Sequence, residues 1–244
     1  MLKQFLSILV FTLPGLALAD THIEFSDGTF MKITGGAVAM GDNMNEMQFK
    51  EGNSEFVAVD HREKTYMVIE KESLKKNMNA MQAQIEAQLA DIPPEQREMV
   101  KQMMKQRMPQ MVEPEKVTYS VRDTGQKGEA AGYKCEVKEL LANGQPESRV
   151  CVASAGETGV PRSDIAVLQS AMNTMRELAE SLPFSQSSNL GEMDFDELGG
   201  IPIIYTDLST NESNEVASIS TDSLPPISVP EGFRRQSMEE LMRQ

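Results

Sequence analysis

Methionine is the residue type whose number and spacing most directly suggest chemistry in this sequence. The chain has 18 methionines among 244 residues, and seven of them lie between positions 78 and 111, with a second group at Met40, Met44 and Met47. Thioether side chains are flexible and polarizable, so a surface lined by them can accept apolar ligands of varied shape, and their sulfur is a soft ligand suited to Cu(I). The central methionines recur mostly at helical spacing, which favours core packing over a metal site among them.

The start of the chain has the pattern of an export signal. Lys3 supplies a short charged region, residues 5–13 form an apolar run, and Ala17-Leu18-Ala19 fits a small-x-small cleavage site. The apolar run is too short for a membrane anchor, and no later stretch approaches the roughly 20 apolar residues that a spanning helix needs. We therefore expect cleavage after Ala19 and a periplasmic protein without stable membrane insertion.

His22 suggests a second kind of metal chemistry. Cleavage after Ala19 would expose Asp20-Thr21-His22 as the new N-terminus. A free amine, two backbone amides and an imidazole at the third position can enclose Cu(II) in a square plane. The alternative is that His22 simply belongs to the first strand of the fold. Asp20 and His22 are accordingly a candidate metal site that depends on where the chain is processed.

The sequence contains no recognisable catalytic constellation. His61 follows Asp60, but the surrounding residues have the composition of a hairpin turn, which favours a solvated histidine over a general base. Asp194 and Asp196 lie in a stretch that does not complete the oxygen-ligand spacing of a calcium site. Nucleophile-elbow, phosphate-loop and zinc spacings are also absent from the sequence. We therefore expect a protein that is not an enzyme, with no catalytic residue and no cofactor.

Cys135 and Cys151 are the only two cysteines, and an exported chain favours their pairing. In the chain-entropy model, closing this loop stabilises the fold by about 3 kcal/mol. The register of the predicted hairpin leaves alternatives open. A two-residue turn at Asn143-Gly144 sets Cys135 opposite Val152, whereas a three-residue loop sets it opposite Cys151. A bulge near Arg149 would reconcile the two.

The charge of the chain restricts its partners. With 23 basic and 37 acidic side chains, the formal net charge is -14. Such a surface repels phosphate over long range, which disfavours nucleic acid and anionic lipid headgroups. The length of residues 20–244 fits a single domain.

Residues 72–111 predict two antiparallel helices set between blocks of strands. Pro93 and Pro94 cannot continue the first helix but can open the second, and Glu95 adds a favourable charge at the new N-terminus. The first helix has one apolar stripe, formed by Leu74, Met78, Met81, Ile85 and Leu89. The second carries Met99, Val100, Met103, Met104 and Met108.

Short alternating runs on both sides of this segment predict antiparallel strands. Asp27-Gly28, Gly35-Gly36 and Asn143-Gly144 separate such runs, and these dipeptides are strong hairpin signals. Residues 123–128 are expected to form a polar turn, and residues 223–230 an extended edge piece, because proline cannot donate in a central ladder.

A third helix is expected over residues 163–182, capped by Ser163 or Asp164. Its apolar face is formed by Ile165, Leu168, Met172, Met175, Ala179 and Leu182. The aperiodic stretch at 183–200 indicates a loop. Together these elements predict an α+β fold: a strongly curved antiparallel sheet, or half-barrel, of about ten to twelve short strands. The Met-rich helical hairpin and the third helix would cover its concave face.

The order of several segments resembles an uncharacterised family of bacterial exported proteins that carry a domain of unknown function. The segments include IPPEQREMVKQMM at 92–104, AGYKCEVKE at 131–139, GGIPIIY at 199–205 and SVPEGF at 228–233. The layout of this family is similar to the half-barrel of the periplasmic lipoprotein carriers, which hold acyl chains between a curved sheet and covering helices. The resemblance implies the same architecture here and brings no catalytic residues with it.

The leading functional hypothesis is a binding protein that holds a lipid-like or acyl ligand between sheet and helices. The expected ligand-binding residues are Leu74, Met78, Met81, Ile85, Met99, Met103, Met104, Met172 and Met175. One alternative is a periplasmic copper-handling protein that uses methionines and His22. Another is a structural or regulatory envelope protein that docks a partner through its helical hairpin.

Overall fold

The computed structural model describes residues 20–90, 92–93, 96–97, 118–180, 195–237 and 240. Its helices are α1 (Lys71–Ala90), α2 (Ala155–Thr158), α3 (Arg162–Glu180) and α4 (Phe195–Leu198). Its strands are β1 (Thr21–Phe25), β2 (Phe30–Thr34), β3 (Ala37–Gly41), β4 (Asn45–Lys50), β5 (Glu55–Asp60), β6 (Thr65–Glu70), β7 (Tyr119–Ala130), β8 (Tyr133–Ala142), β9 (Gln145–Ala153), β10 (Ile201–Asp207), β11 (Ser213–Ser220) and β12 (Arg234–Arg235).

The strands form one large sheet in the order β12-β6-β5-β4-β3-β2-β1-β11-β10-β9-β8-β7. Every neighbouring pair is antiparallel except β12 and β6, which are parallel, so the sheet is mixed. Among the described residues, the two edge strands, β12 and β7, do not pair with each other, and this sheet is therefore not closed into a barrel. The predicted α+β class is confirmed, and the 12 strands in the described part of the chain match the upper end of the predicted range.

The turn chemistry of the sequence accounts for much of this order. Asn143 and Gly144 both have positive φ, 51° and 79°, which is the geometry of a two-residue hairpin turn between β8 and β9. Asp27-Gly28 joins β1 to β2, and Gly35-Gly36 joins β2 to β3. All three predicted hairpin turns are therefore confirmed.

Two predictions about the strands are wrong. Residues 123–128 do not form a turn, because β7 continues through them with a bulge at Thr124 and Gly125. The Thr124 hydroxyl donates to the carbonyl of Val137 at 2.6 Å, which holds the bulge against β8. The chain reverses at Ala131 and Gly132, immediately before β8 begins at Tyr133.

Residues 223–230 also do not form an edge strand. They cross the face of the sheet that α3 does not cover, where the amide of Gln48 in β4 donates to the carbonyl of Ser228 at 3.2 Å. The backbone N–H of Leu224 donates to the carboxylate of Asp20 at 2.8 Å. Prolines in this stretch cannot join a ladder. Pairing at the sheet edge begins only at Arg234, opposite Thr65.

The main core lies between α3 and one face of β2 to β5. Four side chains of the helix are buried in this core: Val167, Leu168, Ala171 and Leu178. They pack against four buried side chains of the sheet: Ile33, Val38, Phe49 and Phe56. Burial of each large apolar side chain stabilises the fold by about 1.5–3 kcal/mol. This face of the sheet is called the helix-covered face below.

The start of α3 differs from its prediction. The helix begins at Arg162, so Ser163 and Asp164 lie inside its first turn and do not cap it. Asp164 accepts a hydrogen bond of 2.6 Å from the hydroxyl of buried Thr21, which ties the helix to β1. Burial raises the pKa of the Asp164 carboxyl, and the nearby charge of Asp20 raises it further.

Cys135 and Cys151 form a disulfide with a Cα–Cα distance of 5.3 Å, as predicted. The two-residue turn is retained, and a bulge at Glu147 shifts the register so that Cys151 lies opposite Val137. Both cysteines therefore share one face, and the bridge runs diagonally between β8 and β9. The bulge is of the kind expected but lies two residues before Arg149. Around the disulfide is a second core cluster, formed by Ile23, Ala130, Ala153, Val160, Ile201, Ile203 and Val216.

Of the predicted helical hairpin, the structure describes the first helix, α1, which follows β6 without an intervening loop and contacts it. Of the second predicted helix the structure describes only residues 96–97, which are helical, and the rest lies outside the described part of the chain. The export signal and most of the loop predicted at 183–200 also lie outside it. Phe195–Leu198 within that loop are instead helical, as α4. No helix in the described ranges is long and apolar enough to cross a membrane.

Candidate functional site: a methionine row and two cavities

A row of methionines crosses the helix-covered face in register. Met31 lies opposite Met40, Met40 opposite Met47, Met47 opposite Ala58, and Ala58 opposite Met67. Residues directly opposite each other in antiparallel strands project from the same face, with Cβ atoms about 4.5–5.5 Å apart. Four thioethers and one methyl group therefore form a continuous band across β2 to β6, called the methionine row below.

The methionine row lies next to the core and is not fully buried within it. Met31, Met40 and Met47 are partly buried and pack against the cluster beneath α3, as do Met172 and Met175 of that helix. α3 lies over β2, β3 and β4. The row at β6 is therefore beyond the four strands, β2 to β5, that supply buried side chains to the core under this helix.

A cavity of about 420 Å³ opens on the row at this position. Met40, Met47 and Met67 line it, and Ala58 lies between Met47 and Met67 in the row. Because alanine is the one short side chain among these five, it leaves space that a longer side chain would occupy. The remaining lining residues are Thr29, Gly41, Asp42, Asn45, Glu46, Val59, Asp60, Thr65, Tyr66 and Gln236.

The rim of this cavity is acidic. Asp42 accepts hydrogen bonds from the backbone N–H groups of Asn45 and Met44, both at 2.7 Å, which hold the pKa of its carboxyl below the usual range. Asp60 accepts a similar bond from the N–H of Glu63. Among the described residues that line the cavity there is no lysine, arginine or histidine. The site therefore combines a soft, apolar floor with negative charge at its edge.

A second cavity, of about 510 Å³, lies along β6 between the first turns of α1 and the residues that follow β12. Ile69 and Leu74 supply apolar lining, and Arg235 supplies a positive charge. Met67 and Gln236 line both cavities, so the two spaces are neighbours. The other lining residues are Val68, Glu70, Ser73, Asn77, Ser237 and Glu240.

The structure locates only some of the ligand-binding residues expected from the sequence. Leu74 lines the second cavity and packs against the main core, and Met172 and Met175 pack against the same core. The side chains of Met78, Met81 and Ile85 on α1 are not among those described, and Met99, Met103 and Met104 lie outside the described residues. Their proposed role stays a prediction.

Sequence reasoning missed Met31 and Met67 as members of the site. Met40 and Met47 stood out as a group, but their relation to methionines elsewhere depends on strand register. The tight turns of the sequence indicate this register, because each turn fixes which residues of its two strands lie opposite each other. When the register is followed from one turn to the next, Met31, Met40, Met47 and Met67 fall in one row.

The N-terminal copper site stays a prediction, and the structure places its residues at the start of the sheet. Asp20 and Thr21 are buried, and β1 is hydrogen-bonded between β2 and β11. To bind Cu(II) in a square plane, the backbone amides of Thr21 and His22 would have to leave this ladder. The described residues contain no group of three or more His, Cys, Asp or Glu side chains that could hold a metal.

His61 lies in a turn, as expected, but it is more enclosed than a solvated histidine. Its Nε2 is 3.4 Å from a carboxylate oxygen of Glu46, and its ring meets Phe233 edge-on at 5.6 Å. Glu46 also accepts a hydrogen bond from Gln48 at 2.6 Å. These contacts join the strands to the segment that precedes β12, which is a structural role.

Comparison of the chain with models of known protein families and with curated proteins found no match.

Proposed function

We propose that this protein is a non-enzymatic periplasmic binding protein that holds a lipid-like or acyl ligand on the helix-covered face of its sheet. In this proposal the sheet is curved as a half-barrel, and α1, as part of a helical hairpin over residues 72–111, covers its concave face together with α3. The ligand occupies the groove made by the two neighbouring cavities.

The two cavities that share Met67 are the observation that carries this proposal. Their volumes of about 510 and 420 Å³ each lie in the range of ordinary ligand pockets, about 300–1,000 Å³. The second cavity adds Ile69 and Leu74 to the methionine lining. Flexible thioethers can adapt to ligands of varied shape, which suits a carrier of apolar molecules.

The charged residues at the two ends of the groove favour one orientation of the ligand. Asp42 and Asp60 at the rim of the first cavity repel an acidic group, whereas the second cavity contains Arg235, beside Glu70 and Glu240, as the only cation among the described residues that line either cavity. An acyl ligand with an acidic headgroup would therefore place its head near Arg235 and its tail against the methionine row. The overall net charge of -14 disfavours a prolonged encounter with an anionic membrane surface.

An exported location agrees with two observations. The Cys135–Cys151 disulfide is typical of an oxidising compartment, and no helix in the part of the chain that the structure describes could span a membrane. Cleavage after Ala19 and residence in the periplasm are part of the proposal.

Filling the gap in the methionine row tests the function. Ala58→Phe places a large side chain in the first cavity, while Ala217→Phe changes an exposed alanine of β11 outside both cavities. We expect a fluorescent fatty-acid probe to bind the wild-type protein and Ala217→Phe with similar affinity, and to bind Ala58→Phe at least about tenfold more weakly.

Circular dichroism and urea denaturation would establish that both variants are folded. Equal probe affinity in all three proteins, or no binding to the wild type, would contradict the proposal. Native mass spectrometry of protein isolated from the bacterial envelope supplies an independent readout, since a co-purifying acyl species should be lost in Ala58→Phe.

Two alternative functions stay predictions. Copper handling through Asp20 and His22 would require the backbone amides of Thr21 and His22 to leave the ladders of β1. Docking of an envelope protein through the helical hairpin depends mainly on residues outside those described.

A further inference from the structure

We propose that Met40, Met47 and Met67 form a binding site for one soft monovalent cation, Cu(I) in the cell and Ag(I) as its analogue. The site lies in the 420 Å³ cavity above Ala58 and does not require that the groove carry an acyl ligand. It differs from the N-terminal copper hypothesis in its residues and in the oxidation state of the metal.

The register of the sheet brings the three thioethers together. Met40 and Met47 lie directly opposite each other on β3 and β4, so their side chains start about 4.5–5.5 Å apart. Met67 is on β6, two strands from Met47, which is roughly 9.5 Å along the sheet. Only Ala58 intervenes, and its methyl group does not block an approach from either side.

The flexibility of methionine can close the remaining distance. Each side chain has three rotatable bonds beyond Cα, and all three methionines are partly exposed and line the cavity, so their sulfur atoms can rotate towards it. Met31 is in the same row but does not line the cavity. The candidate ligand set is therefore limited to the three methionines that border one space.

The ligand chemistry selects the type of cation. Thioether sulfur is a soft, uncharged donor that favours Cu(I) over Mg²⁺ or Ca²⁺, which take oxygen ligands. Three neutral donors leave the positive charge of the metal uncompensated. The rim carboxylates of Asp42 and Asp60 supply negative charge beside the site. A cation that prefers soft ligands therefore suits both the thioethers of the cavity floor and the carboxylates of its rim.

Replacement of methionine by leucine separates this proposal from the proposed acyl function. Leucine retains the volume and apolar character of methionine but lacks sulfur. The triple variant Met40→Leu, Met47→Leu, Met67→Leu should therefore still bind an apolar probe and lose the cation. The matched control is Met31→Leu, Met172→Leu, Met175→Leu, which changes three methionines that pack against the same core outside the cavity.

The experiment is a titration of the full mature chain with Ag(I), followed by methionine-methyl ¹³C NMR and by native mass spectrometry. In the wild type and the control, one equivalent of Ag(I) should shift the methyl signals of Met40, Met47 and Met67 together. The cavity variant should bind Ag(I) at this site at least about tenfold more weakly. Cu(I) supplied anaerobically should compete with Ag(I) for the site.

Two results would overturn the proposal. One is a wild-type spectrum in which the first equivalent of Ag(I) shifts other methionines and leaves these three unchanged. The other is equal Ag(I) affinity in the wild type and the cavity variant. Loss of apolar-probe binding in Ala58→Phe would support the proposed acyl function. Binding of Ag(I) by the wild type at the three methionines would support the cation site, independently of the probe result. Failure of the wild type to bind the probe would leave the metal result unaffected.

Discussion

Gly128 is expected to be energetically coupled to the disulfide. It lies opposite Cys135 in the β7–β8 ladder. A Cβ atom built at this position would be 2.8 Å from Sγ of Cys151 and 3.3 Å from Sγ of Cys135. Both distances are shorter than normal van der Waals contact, so Gly128→Ala must displace the bridge or the strand beside it. Overpacking of this kind costs about 1–3 kcal/mol.

The disulfide is the cause of this cost, and a double-mutant cycle isolates it. In a Cys135→Ala, Cys151→Ala background both sulfur atoms are gone. There, Gly128→Ala should be neutral or should stabilise the protein by about 0.4–1 kcal/mol, because alanine restricts the unfolded chain and φ at this position suits it. The cysteine replacements themselves should cost about 3 kcal/mol. The coupling free energy between Gly128 and the bridge should therefore be about 1–4 kcal/mol.

Urea denaturation of the four proteins measures this coupling. Gly156→Ala is the matched control, since a Cβ atom there meets only Oγ of Ser154 at 3.8 Å. The control should have the same small effect with and without the disulfide. If Gly128→Ala lowers the free energy of unfolding equally in both backgrounds, the clash with sulfur is not its cause and the reasoning is refuted.

Two further predictions concern stability. Burial raises the pKa of Asp164 in the folded protein. The contribution of this carboxyl to stability is therefore present at pH values below its ordinary pKa, and it is lost as pH rises through the pKa of the folded state. Asp164→Asn should therefore gain stability relative to the wild type as pH rises from about 4 to 7, which urea denaturation at a series of pH values would show; a constant difference would contradict it. Phe56→Ala should lower the free energy of unfolding by about 3–5 kcal/mol. Val57→Ala, at a partly buried position on the opposite side of β5, should lower it by less than half as much, as measured in the same way. Similar losses in both variants would show that the main core is not on the helix-covered face.

The local signals of the sequence predicted the elements well where turn chemistry is explicit. Asn143-Gly144 fixed a two-residue hairpin, and alternation of apolar residues identified most of the strands. Tandem prolines predicted correctly that residues 223–230 could not lie in a central ladder. They could not indicate whether the segment would follow an edge or cross a face. That choice depends on distant partners such as Gln48, whose amide donates to the carbonyl of Ser228.

Bulges are the main reason why the rest was not predictable. The extra residue at Glu147 decides which side chain of β8 faces Cys151, and the bulge at Thr124 and Gly125 turns an expected loop into a strand. Whether a bulge forms depends on how well side chains pack on each of the two faces of the sheet. A local sequence pattern does not contain this information. β2 to β6 pair without such a shift, so the methionine row could have been derived from their turns alone.

The most direct test of the account is a titration of methionine-methyl-labelled protein with a fatty-acid probe, followed by ¹³C NMR. The account predicts that Met67, which lines both cavities, shifts most, that Met40 and Met47 shift with it, and that exposed Met44 does not move. Saturable binding of the fatty-acid probe that leaves the Met67 methyl signal unchanged would contradict this prediction. The probe would then lie elsewhere than in the groove, which is on the helix-covered face.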